Sequence, residues 1–118
     1  MIRHLAIFKA EGAREILSGE RIIESRFSKS KIAPFGAVSV GDIVYIKVSG
    51  GDIIGQFKVK RVIFFDGIDK EEIKNNYKEE VKENCRYATL IFIGDSTTFI
   101  TSPIKIKKKD QRGWVVLG

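Results

Sequence analysis

The chain is poor in the groups that usually staple or metallate a small protein. It has a single cysteine, Cys85, and a single histidine, His4. One cysteine cannot close an internal disulfide, and one Cys with one His cannot form a zinc cluster, so neither a disulfide scaffold nor a structural metal is expected, and no cofactor is implied. Cys85 lies between a charged helical segment and a strand-like one, and reads as a packed or half-exposed thiol rather than a nucleophile. Long apolar runs are missing too. The longest are four residues, such as 62–65 and 90–93, against the roughly 20 a membrane-spanning helix requires. The opening MIRHLAIFKAEG lacks the apolar stretch and small-residue cleavage site of a secretory signal. A soluble, cytoplasmic protein is the expectation. There is no repeat period and no low-complexity tract, which excludes a solenoid and a disordered chain.

What is present is a globular balance: 118 residues, 43% hydrophobic and 31% charged, the size of one domain spanning 1–118. The formal net charge is +6. Its distribution matters more than its size. Residues 69–83 hold six acids and four lysines, so the remaining 103 residues carry +8. Lys105, Lys107, Lys108, Lys109 and Arg112 stand against Asp110 alone. Such an excess points to a phosphate-bearing partner or to a solvated lysine-rich face.

Along the chain, RHLAIFK is short and apolar and predicts a buried first strand. In AEGAREILSG the spacing of Ala13, Ile16 and Leu17 predicts a helix, with Gly19 placed for a left-handed cap. A strand over 22–27 follows, and its period of two puts Glu24 and Arg26 on one face. The segment SKSKIAPFGAVSVGD reads as a long surface loop with one helical turn. Strands are predicted over 42–48, 53–65 and 87–93, with a hairpin at the SGGD of 49–52. Between the last two lies a helix with Asp69 as N-cap, Glu72 three residues on, an Ile68/Ile73 staple and a stripe of Ile73, Tyr77 and Val81. Near the end, 103–109 and the residues after a turn at 110–113 predict two short strands. In the first of these, Lys105, Lys107 and Lys109 share one face. The sum is class α+β, a small mixed β-barrel with peripheral α-helices.

The segments ILSGERIIESRF, VGDIVYIKVSGGDIIGQFKV, YATLIFIG and KKKDQRGWVVL, in that order, resemble the ASCH domains of the PUA-like superfamily over nearly the whole chain. The resemblance implies a PUA-like barrel with a cleft between barrel and helices, lined by GERIIESR. By analogy with PUA, YTH and EVE relatives it also implies binding of RNA or modified bases. Some bacterial ASCH proteins remove the acyl group from N4-acylated cytidine with a lysine, a threonine and a distal glutamate. Here Arg21 stands for the lysine and Glu24 for the threonine. Arginine keeps its proton and a carboxylate offers no hydroxyl, so that mechanism does not transfer directly. Other ASCH proteins are ribonucleases, and Glu24 with Arg21 are the catalytic candidates for a hydrolase acting on RNA or on such nucleosides.

The chemistry of the side chains runs parallel to the resemblance. Arg26 is a planar fork suited to phosphate or a guanine edge, and Glu24 accepts from an exocyclic amine. The alternative is an internal Glu–Arg pair that only fixes the strand. Ser28, Lys29 and Lys31 could grip phosphates from the loop. Trp114 reads as core rather than as a stacking platform, and Tyr45 and Phe57 as barrel packing. The expected function is binding of RNA, or a nucleotide or modified base from it, in a cleft built by Lys9, Arg21, Glu24, Arg26, Lys29 and Arg112, with Lys107 on its rim.

Overall fold

The computed structural model describes residues 1–82, 84–101 and 112–118. Among these residues six strands form one mixed sheet, in the order β2-β5-β4-β3-β1-β6. They are β1 (Arg3–Phe8), β2 (Ile23–Ser28), β3 (Ile43–Val48), β4 (Ile53–Asp66), β5 (Tyr87–Thr98) and β6 (Trp114–Val116), with helices α1 (Ala10–Ser18) and α2 (Lys70–Tyr77). The pairing of β1 with β3 is parallel, and the other pairings among the described strands are antiparallel. The parallel pair needs a crossover, which α1, β2 and the loop to β3 supply.

The sheet curls into a half-barrel because β4 and β5 are long and bulged. Their register slips twice, between Phe57 and Val59 and again between Val59 and Arg61, and each bulge adds bend and twist. Inside the curl lie Phe8, Val44, Ile46, Phe57, Val59, Ile91 and Trp114, with Ala13 and Ile16 of α1 packed on them. Close approach of α1 requires a bare backbone beneath it. A Cβ on Gly55 would meet Leu17 Cδ2 at 2.7 Å and the Thr97 carbonyl at 2.6 Å.

The helix signals act as expected. Gly19 adopts φ 84° and its N–H bonds the Ile16 carbonyl, closing α1. The Asp69 carboxylate accepts from the N–H groups of Glu71 and Glu72. One expectation fails. The predicted stripe carried Val81 on α2, but the helix ends at Tyr77, where Lys78 turns left-handed at φ 59°. Tyr77 still packs, its ring 6.3 Å from Phe65 and 6.1 Å from Phe92. Likewise β5 runs to Thr98 rather than stopping at 93, because Ser96, Thr97 and Thr98 pair with Phe57, Gln56 and Gly55 near the start of β4. The predicted strand over 103–109 lies outside the described residues.

One polar chain crosses the interior. His4 is fully buried; its Nε2 donates to Asp42 Oδ2 at 2.8 Å, and its Nδ1 accepts from the Trp114 indole at 3.1 Å. An indole can only donate, so this arrangement requires Nδ1 without a proton. Asp42 also accepts from the N–H groups of Ile2 and Ser39. Burial pushes its carboxyl up, but the bonds from His4, Ser39 and Ile2 outweigh that, and the net displacement is downward.

Candidate functional site

Among the described residues, β2 and β6 are the two outer strands of the half-barrel's sheet. No backbone ladder among the described residues joins them. A side chain of β2 bridges the gap instead: Arg26 donates from Nη2 to the Ile7 carbonyl at 2.9 Å and from Nη1 to the Gly113 carbonyl at 3.2 Å. Its third nitrogen, Nε, donates to Glu24 Oε1 at 3.1 Å. The guanidinium carbon lies 4.9 Å from the Phe8 ring centre and 5.4 Å from that of Trp114. Arg26 thus stitches the seam of the barrel, and the period of two along β2 is what brings Glu24 to the same place.

Glu24 is the hub. Its other oxygen accepts from Arg21 Nη1 at 3.1 Å, and Arg21 Nη2 reaches on to Glu15 Oε1 at 3.1 Å. The Glu24 side chain is 9% exposed, Arg26 21% and Arg21 34%, so the array grades from seam to solvent. Burial opposes the charge on Arg21, yet Glu24 and Glu15 more than compensate and push its pKa above the ordinary value. Each Glu24 oxygen has accepted one bond and keeps capacity for another.

A cleft of about 440 Å³ opens over this array. Lys9, at the N-cap of α1, and Lys82 stand on it together with Glu15, Arg21, Glu24 and Arg26. Ser25 lines it too, and its hydroxyl donates to Glu79 Oε2 at 3.1 Å. Burial pushes the Glu79 carboxyl up, Ser25 and Arg21 pull it down, Glu24 adds to the rise, and the outcome is upward. Among the described residues no group of three or more His, Cys, Asp or Glu side chains gathers as a metal site. No helix among them is long and apolar enough to cross a membrane.

The overall fold is shared with solved structures. No family model matches the chain, and no curated protein matches its sequence. Crystal structures of the ASCH protein of Zymomonas mobilis do match by shape. Two single-residue variants of it superpose with TM-scores of 0.63 and 0.62 at 16% identity, over 81% of this chain and 71% and 70% of theirs. The ASCH protein itself gives 0.56 at 14% identity, over 81% and 69%.

The chain has the ASCH fold. Within that fold, the sequence-derived residues divide. Lys9, Arg21, Glu24 and Arg26 meet in the cleft. Ser28 and Lys29 do not line it: Ser28 donates to the Ser30 carbonyl and Lys29 is exposed beyond the end of β2. Arg112 is exposed on the segment entering β6, next to the Gly113 carbonyl that holds Arg26. Lys107 lies outside the described residues. Trp114 is 4% exposed with its N–H spent on His4, so it belongs to the core of the ASCH barrel, as does Phe57, whereas Tyr45, expected to pack the barrel, is only half-buried on the face of β3 opposite the buried Val44 and Ile46, against Phe99. Sequence reasoning missed Glu15, Ser25, Glu79 and Lys82. Glu79 was hidden because periodicity carried α2 past it, whereas the left-handed turn at Lys78 is what precedes its contact with Ser25.

Proposed function

We propose that this domain binds a nucleobase, presented by RNA or carried by a nucleotide, in the cleft beside β2. The supporting observation is the fixed Glu24 carboxylate, held by Arg21 and Arg26 at the floor of a cleft of nucleoside size. A carboxylate whose direction is set by two guanidinium groups is pre-organised to accept from an exocyclic amine, and Arg21 offers donors beside it for a ring oxygen or nitrogen. Lys9 and Lys82 stand where they can meet a phosphate. The ASCH proteins that the fold resembles support the reading by analogy alone. Arg26, occupied on all three nitrogens, acts as a positioning residue rather than a ligand contact.

The test is a titration with cytidine and with short single-stranded RNA, followed by Trp114 fluorescence, which reports on Arg26 from behind the cleft. Arg21→Gln should weaken binding by about 1–3 kcal/mol. Unchanged affinity in that variant removes Arg21 from the site, and no binding of either ligand refutes the reading.

One observation favours a second reading, a hydrolase on RNA or on N4-acylated cytidine. Glu79, with its carboxyl pushed up by burial, feels the charges of both Arg21 and Glu24 and has the environment of a general acid or base. In that case Glu79→Gln abolishes turnover of an N4-acylated cytidine or an RNA dinucleotide while leaving binding in place. Turnover that survives the change excludes Glu79.

A further inference from the structure

The two bulges between β4 and β5 also re-aim side chains. Along a regular strand Lys60 and Arg61 would face opposite sides. The residue pairs Val59↔Ile93 and Arg61↔Phe92 leave Lys60 as the extra residue, and Lys58, Lys60 and Arg61 are all exposed. They border two adjoining hollows, of about 610 Å³ and about 340 Å³, which share Lys60 and Ile93 and so form one trough. Its floor is kept low by Gly94, where a Cβ would stand 2.8 Å from the Lys58 carbonyl. Its walls are apolar: Ile22 and Val40 are 67% and 65% exposed. Arg61 lies over the Phe92 ring, 5.1 Å from its centre.

Three cations face a single carboxylate, Asp95, along this trough. Among the described residues neither Lys58 nor Lys60 has an ion-pair partner. The trough ends at Ile22, the neighbour in sequence of Arg21 in the cleft. We propose that it is a track for the backbone of single-stranded RNA, separate from the cleft and leading to it. Lys58, Lys60 and Arg61 neutralise successive phosphates, and the Arg61–Phe92 stack offers a guanidinium plane on which an unpaired base lies. The direction of the track rests on the nucleic-acid reading of the cleft, but its binding rests on different residues.

The test compares the full chain with a triple variant, Lys58→Gln, Lys60→Gln and Arg61→Gln. Two probes are used, an oligouridylate of about 12 nucleotides and free cytidine, across a salt series. The variant should flatten the salt slope for the oligonucleotide by about two units, each single-strand phosphate contact being worth about 0.7. Cytidine binding and the thermal midpoint should not change, since all three side chains are exposed. An oligonucleotide slope equal to that of the wild type overturns the proposal. So does a polyglutamate that competes equally at the same residues, which assigns the trough to an acidic protein. Oligonucleotide binding that depends on these residues but is unchanged by Arg21→Gln, with no cytidine binding, upholds the track and removes Arg21 from the cleft reading alone.

Discussion

Arg26 shows how one side chain can serve as structure and still define a site. Removing it leaves the Ile7 carbonyl and one Glu24 oxygen without their donor, in a place largely shielded from water. Arg26→Ala should cost about 2–3 kcal/mol, discounted because the guanidinium is partly exposed. Arg26→Lys should recover less than half of that, since an ammonium cannot reach three acceptors in one plane. Denaturant midpoints of the two variants decide it, and an alanine variant as stable as the wild type would dismiss the seam. The alternation along GERIIESR put Glu24 and Arg26 on one face and left two readings, ligand contact or internal pair. The pair exists. What alternation could not supply was the pair's surroundings, because the carbonyls of Ile7 and Gly113 reach β2 only through tertiary closure.

Elements were legible where local chemistry is strong and illegible where the sheet overrides it. Gly19 and Asp69 announce helix ends by their own backbone preferences. The bulges in β4 have no such sign, since Lys58, Lys60 and Arg61 read as polar positions in any register. Gly55 carries a prediction of its own. Gly55→Ala places a methyl against Leu17 and the Thr97 carbonyl, and should destabilise by about 1–3 kcal/mol. Because Leu17 belongs to α1, whose N-terminal end forms one wall of the cleft, hydrogen exchange should quicken in α1 as well as in β4. A variant as stable and as protected as the parent would show that α1 sits more loosely on the sheet than its packing implies.

Across the molecule, the path Asp42–His4–Trp114 ties the loop before β3 to β1 and β6. The folded-state pKa of Asp42 is depressed, so its contribution is present above the unfolded carboxylate range and lost as pH falls through the folded value. Stability should therefore decline below about pH 4, and Asp42→Asn should flatten that decline; a pH profile identical to that of the parent would place the acid sensitivity elsewhere. The same path has a consequence in time. Trp114 and His4 are 110 residues apart in the chain, and Arg26 and its anchor at Gly113 are 87 apart. Contacts of such separation bear the largest loop-closure cost and form slowly. The closure of the seam by Arg26 on Gly113 is therefore among the late features to assemble in refolding, and a chain with its β3–β4 hairpin already closed still has, until β6 docks, an open edge at β1.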